Sequence, residues 1–137
     1  MIRTTFVAAL VAASVGAAPA MAAETLMAHL GGAGSPDTDG AGHATFKIDT
    51  SKNEVCYDLM VEKIGAATAA HVHKGAAGAS GPPVVPMKAP DAAGKASGCA
   101  TVGADVVKDL LANPAGYYVN VHNAEFPAGA IRGQLMK

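Results

Sequence analysis

The stretch AAHVHKG at residues 69–75 has two histidines that alternate with a valine. Successive side chains of a β-strand point to opposite faces of the sheet. His71 and His73 therefore share one face, while the valine between them lies on the other. This alternation predicts a strand that turns its valine toward the core and its two imidazoles toward a polar face.

The stretch YYVNVHN at residues 117–123 repeats the pattern. Its two valines fall on one face, whereas Tyr118, Asn120 and His122 fall on the opposite face. If both strands lie in one sheet with their valines inward, three imidazoles share one polar surface. The function of this face depends on whether those imidazoles meet.

Further short segments of alternating polarity are separated by turns rich in glycine, proline and asparagine. Many short strands with turn signals between them are typical of an all-β sandwich or barrel. The segments at 43–49 and 54–61 are joined by a short polar turn and predict an antiparallel hairpin. The strands predicted in addition to the two histidine stretches are 25–30, 43–49, 54–61, 83–87, 98–102 and 130–135.

One short helix is predicted just before residue 113. Apolar residues recur there at helical spacing, at Val106, Val107, Leu110 and Leu111. Asp105 is the predicted N-cap, and the Asn-Pro pair at 113–114 ends the helix.

The first 22 residues have the pattern of an export signal. A single positive charge at Arg3 precedes an apolar run, and small residues surround the expected cleavage point after Ala22. The run is short for a membrane span, which needs roughly 20 apolar residues. We therefore expect a mature chain, residues 23–137, that forms one domain, is secreted or periplasmic and has no membrane span.

The charges are almost balanced, with 10 Lys and Arg residues against 11 Asp and Glu residues and a formal net charge of −1. No run of basic residues occurs in the sequence. Binding to nucleic acid or to an anionic membrane is therefore not expected.

The sequence contains two cysteines, Cys56 and Cys99. In an exported domain an even number of cysteines predicts a disulfide, whereas in the cytosol the same pair would more often be free thiols or metal ligands. Neither cysteine belongs to a C-x-x-C pair, so a redox role is not expected.

Four segments in order, AHVHKG at 70–75, GPPVV at 81–85, YYVNVHN at 117–123 and PAGAIRGQL at 127–135, together resemble the chordin-type (CHRD) domain. The resemblance extends from about residue 24 to residue 136. It implies an immunoglobulin-like β-sandwich and an extracellular module, as in animal regulators of secreted growth factors and short exported bacterial proteins. A signal segment before one short domain is similar to the bacterial form.

The resemblance supplies no accepted catalytic residue, and it favours binding to an extracellular protein or surface component that the sequence does not identify. The sequence also has no Gly-x-Ser-x-Gly elbow, no His-Glu-x-x-His motif and no phosphate-binding glycine loop. The first hypothesis is therefore an exported, non-enzymatic binding or structural module.

The His-Val-His step also resembles the copper-site strand of Cu,Zn superoxide dismutase, another antiparallel β-sandwich. Dismutase activity is not expected, because the chain has no counterpart of that family's zinc loop. The alternative hypothesis is metal handling, or else weak redox activity, by a copper or zinc ion on His71, His73 and His122, with His43 or His29 as a candidate fourth ligand. A competing interpretation makes the three histidines hydrogen-bonded members of a polar sheet face beside Asn120, Arg132 and Gln134.

Overall fold

Eight β-strands and one short α-helix form the described part of the computed structural model, which comprises residues 8–14, 16, 23–32 and 34–137. The all-β prediction with one short helix is confirmed. The predicted signal segment lies mostly outside the described residues; those of its residues that are described, 8–14 and 16, are exposed and have no regular structure. In chain order the strands are β1 (Glu24–Gly31), β2 (Ala41–Asp49), β3 (Glu54–Glu62), β4 (Ala67–Lys74), β5 (Pro83–Met87), β6 (Lys95–Thr101), β7 (Tyr117–Asn123) and β8 (Ile131–Met136).

The helix α1 (Ala104–Ala112) lies between β6 and β7 and is followed by a 3-10 turn, Pro114–Gly116. Asp105 is not its N-cap, contrary to the prediction. Gly103 occupies that position without a side-chain cap, and Asp105 lies in the first turn, where a carboxylate is favourable near the helix N-terminus. Within the described residues no helix is long and apolar enough to cross a membrane.

All the strands belong to one antiparallel sheet, in the order β5-β4-β7-β8-β1-β2-β3-β6. The two edge strands of this order, β5 and β6, contact each other, so that the sheet curls into a nearly closed barrel. The edge position of β5 agrees with its two prolines, which cannot donate to a neighbouring strand. The predicted hairpin is confirmed as β2 and β3, paired from Ala41↔Glu62 to Asp49↔Glu54.

The predicted disulfide joins β3 to β6. Cys56 and Cys99 face each other directly in the register of these strands, and their sulfur atoms are bonded at 2.08 Å. The bridge therefore fixes the last strand of the sheet order to its neighbour in the β2–β3 hairpin.

The core lies inside the barrel and is built from side chains at alternate positions of the strands. Burial of these apolar side chains supplies the main favourable free energy of folding, at about 25 cal/mol per Å². The alternation puts eleven residues on the inward face, and all but one of them are buried. The buried ones are Phe46, Ile48, Val55, Tyr57, Leu59, Val72, Val119, Val121, Ile131 and Leu135, whereas Val61 is partly buried.

The outward face of β7 is also covered. Tyr118 and Asn120 are 2% and 7% exposed, although the alternation predicts a polar surface there. Gly31 and the segments 34–36, 77–81 and 128–129 line the space over this face. The polar face is thus the floor of a groove.

Candidate metal centre

Pairing of β4 with β7 brings the three predicted histidines together. His71 lies opposite Asn120 in the register, and His122 lies opposite Ala69, two residues away on the same face. The ring centroid of His71 is 5.5 Å from that of His73 and 5.4 Å from that of His122, and the centroids of His73 and His122 are 5.9 Å apart. The imidazoles therefore form a compact triangle, which we call the histidine triad.

The ligand nitrogens of the triad converge. One nitrogen from each ring lies within 4.8 Å of the other two. Nδ1 of His71 and Nε2 of His122 are 3.4 Å apart. Two nitrogens that bind one zinc ion at about 2.0–2.1 Å in tetrahedral geometry are themselves about 3.3–3.4 Å apart. This pair of nitrogens already has the spacing that such an ion requires.

His73 has a defined tautomer. Its Nδ1 lies 2.8 Å from the carbonyl oxygen of Gly81, which can only accept a hydrogen bond. Nδ1 therefore carries the proton, and Nε2 presents a lone pair. This Nε2 is buried, and it has no hydrogen-bond partner among the described residues.

His122 is oriented in the same way. Its Nδ1 lies 3.0 Å from the carbonyl oxygen of Pro127 and donates to it. The Nε2 lone pair of His122 then points toward Nδ1 of His71. The proton shared between His71 and His122 is the one that a metal ion would replace.

The surroundings of His71 favour its neutral form. Burial lowers the pKa of His71, and the neighbouring rings of His122 and His73 lower it further. A neutral imidazole is the form that binds a metal ion, because the protonated ring has no free lone pair.

The ring of Tyr118 packs against the ring of His73. The two rings are stacked, with centroids 5.1 Å apart and planes inclined by 12°. The Tyr118 hydroxyl also accepts a hydrogen bond from the backbone N–H of Gly81 at 3.2 Å. Gly81 thus contacts both His73 and Tyr118, so a shift of this one residue would disturb both rings.

The polar residues predicted beside the histidines hold the surrounding loops. Arg132 donates to the carbonyl oxygen of Ala79 at 2.8 Å, and its guanidinium carbon lies 3.5 Å from the centre of the Tyr118 ring. Gln134 donates to the carbonyl oxygen of Gly75 at 3.0 Å. These contacts anchor the 75–81 segment, which carries the carbonyl that orients His73.

Asn120 anchors the loop at residues 127–129. Its side-chain amide donates to the carbonyl oxygen of Ala128 at 3.1 Å, next to the Pro127 carbonyl that orients His122. The polar-face neighbours therefore contact the loops and not the ligand nitrogens. The ligand interpretation and the polar-face interpretation of the histidines both remain predictions.

The triad is accessible from outside. An open groove of about 670 Å³ is lined by two of its members, His73 and His122, together with Tyr118, Asn120 and Arg132. An ion, or a small ligand on that ion, can reach the exposed side of the triad through this groove.

His43, the candidate fourth ligand, lies elsewhere. It is opposite His29 in the pairing of β1 with β2, and their Nδ1 atoms are 3.3 Å apart. Both side chains are exposed. Of the five histidines, the structure brings three into the triad and places the other two in a separate pair.

The backbone carbonyls of Gly81 and Pro127 are the parts of the site that sequence reasoning missed. They come from loops, whose conformation has no periodic signal. The nearest signal was the GPP and FPAG sequences, which predicted turns without indicating that their carbonyls face the histidines.

A comparison with protein families finds that residues 26–135 match the family model of the CHRD domain. No curated protein matches this chain.

Proposed function

The chain belongs to the CHRD domain family, and we propose that this member is an exported, non-enzymatic module that binds one copper or zinc ion through His71, His73 and His122. The observation that carries this proposal is the orientation of two triad rings by backbone carbonyls. Both rings have Nδ1 committed to a carbonyl and Nε2 turned toward a shared point.

Such orientation is the usual environment of a histidine that binds a metal. A metal-bound imidazole almost always donates its other N–H to a carbonyl, a carboxylate or water, which fixes the ring and strengthens its basicity. The carbonyls of Gly81 and Pro127 fill this role for His73 and His122. The buried and unpartnered Nε2 of His73 gains a ligand bond when an ion binds, and its desolvation is then compensated.

The ligand set supports copper and zinc over harder ions. Imidazole nitrogen suits both metals, and copper(II) is bound more tightly than zinc by most nitrogen sites. Three protein ligands leave a coordination position free, and the groove beside His122 gives it access to solvent.

Export is supported by the disulfide between Cys56 and Cys99, because such bonds persist in oxidising compartments. It also agrees with the signal pattern of the first 22 residues. A storage or delivery role is favoured over dismutation, since the five histidines of the chain divide into a triad and a separate pair. An extracellular protein or surface partner remains a prediction from the family.

The test is a calorimetric titration of the protein, with its disulfide formed, with zinc and with copper(II). We expect one zinc ion per chain, and at least a tenfold loss of affinity in His73→Asn and in His122→Asn. Asp58→Asn is the control, because it changes an exposed side chain of β3 outside the triad, and its zinc affinity should stay close to that of the unmodified protein. Equal zinc affinities in all of these proteins would overturn the proposal, and rapid superoxide dismutation by the copper-loaded protein would overturn its non-enzymatic part.

A further inference from the structure

We propose a second metal site on the outer face of β1, β2 and β3, formed by His29, His43 and Met60 and selective for copper(I). The three residues lie in one row across the strands. His29 pairs with His43 between β1 and β2, and His43 pairs with Met60 between β2 and β3. Side chains directly opposite each other on neighbouring strands have Cβ atoms about 4.5–5.5 Å apart.

The two imidazoles have the separation of metal ligands. Their Nδ1 atoms are 3.3 Å apart, and their ring centroids are 5.0 Å apart. This distance equals the nitrogen separation of about 3.3 Å that a tetrahedral ion with bonds of about 2.0 Å imposes. An ion between the two rings thus needs no rearrangement of the strands.

Thr45 favours the tautomer that such an ion needs. Its hydroxyl oxygen lies 3.3 Å from Nε2 of His43. A hydroxyl can accept from Nε2–H, which leaves the lone pair on Nδ1 facing His29. When it accepts in this way, the Thr45 hydroxyl orients His43 as a backbone carbonyl orients His73 and His122.

Met60 supplies the sulfur. It is 57% exposed, and Met136 is the only other exposed large apolar side chain in the described barrel, residues 24–32 and 34–136. Met60 lies directly opposite His43, and we assign its thioether as the third donor. Thioether sulfur is a soft ligand that selects copper(I), whereas imidazole accepts several metals.

The two sites differ in composition and position. The triad offers three nitrogens on β4 and β7, whereas the second site offers two nitrogens and a sulfur on β1, β2 and β3, with β8 between the two groups of strands. The second site does not depend on the first. The sulfur ligand predicts that it prefers the reduced form of copper.

The test is an anaerobic titration of the oxidised protein with silver(I), a redox-inert probe for copper(I), followed by methyl and imidazole NMR signals. We expect the methyl signal of Met60 and the ring signals of His29 and His43 to shift together at the first equivalent. Met60→Leu should weaken silver binding at these rings at least tenfold. Met136→Leu is the matched control, since it removes another exposed thioether, and it should have no effect.

A Met60 methyl signal that does not move with silver, or unchanged binding in Met60→Leu, would overturn the second site. Neither result affects the zinc titration of the triad, which is read from His73 and His122. Conversely, absence of zinc binding at the triad would not affect the second site, which is tested by the silver-induced shift of the Met60 signal.

Discussion

His73 Nδ1 lies 2.8 Å from the carbonyl oxygen of Gly81, and this contact determines which ring nitrogen is free to bind a metal. Gly81 can occupy this position only because it lacks a side chain, since a Cβ there would lie 1.6 Å from the carbonyl oxygen of Lys74. A residue eight positions beyond His73 along the chain therefore sets the chemistry of its ring.

Replacement of Gly81 by alanine should uncouple the loop from the triad. The Cβ would force the loop away from Lys74 and remove the carbonyl from His73. Loss of such an orienting partner typically lowers metal affinity about 10- to 100-fold. Zinc titration measures this change, with Gly103→Ala as the control, because a Cβ at Gly103 meets nothing within 4 Å. An unchanged affinity in Gly81→Ala would show that the carbonyl does not orient the ring.

Replacement of Arg132 should act on the same loop from the opposite side. Arg132→Gln removes the hydrogen bond to Ala79 and the cation over the Tyr118 ring. Arg132→Lys should restore these contacts only in part, because an ammonium lacks the planar fork that reaches both Ala79 and Ala76. We expect both variants to lose several-fold in zinc affinity and to show faster amide exchange at residues 76–81. If Arg132→Lys retains full affinity, only the charge of Arg132 matters.

The disulfide should contribute strongly to stability. Cys56 and Cys99 are separated by 43 residues. Closure of a loop of that length reduces the conformational entropy of the unfolded chain, which adds about 4 kcal/mol to the free energy of unfolding at 25 °C. The double variant Cys56→Ser, Cys99→Ser should therefore unfold at a much lower urea concentration than the oxidised protein. The two free energies of unfolding, extrapolated to water, give the difference directly. A loss below about 1 kcal/mol would contradict the expected entropic contribution.

Mild acid should destabilise the metal-free protein through His71. Burial, and then the neighbouring rings of His122 and His73, lower the pKa of His71 in the folded state below its ordinary value of 6.5. As the pH falls, the His71 ring of the unfolded chain therefore binds a proton at a higher pH than the same ring in the folded chain. Stability that is fully present above about pH 6.5 should decline as the pH falls from that value toward the lowered pKa of the folded state.

The same measurement on His71→Asn isolates this effect. The variant lacks the titrating ring, so its decline in stability over this pH interval should be smaller than that of the unmodified protein. Urea unfolding at a series of pH values between 7.5 and 5 gives the comparison. Parallel curves for the two proteins would exclude a contribution of His71.

Much of the site followed from the alternation of residues along two strands. Side chains alternate between the two faces of a strand, so His71 and His73 share one face of β4. Tyr118, Asn120 and His122 share one face of β7 for the same reason. The structure confirms that these two faces are the same face. The paired residues of β4 and β7 are 43 to 56 positions apart. No single segment of sequence specifies such a non-local pairing, so the alternation alone does not predict that His122 lies beside His71.

The remaining parts depended on loops and on register. His43 has the residue type of a ligand, but its strand pairs with β1, and this places it beside His29. Burial of Tyr118 and Asn120 arises from loops that fold back over the sheet, for which the sequence carries only turn signals. Asp105 was predicted as the N-cap from its side chain, but the N-cap is Gly103, two residues earlier, whose backbone carbonyl accepts from the Val107 N–H.

The most direct test of the triad is a long-range ¹H–¹⁵N correlation spectrum of the histidine rings, recorded on the oxidised protein before and after one equivalent of zinc. The account predicts that His73 and His122 carry their proton on Nδ1 before zinc is added, and that zinc shifts the Nε2 signals of both rings together with a ring nitrogen of His71. Protons found on Nε2 of His73 and His122, with signals that zinc does not move, would contradict it.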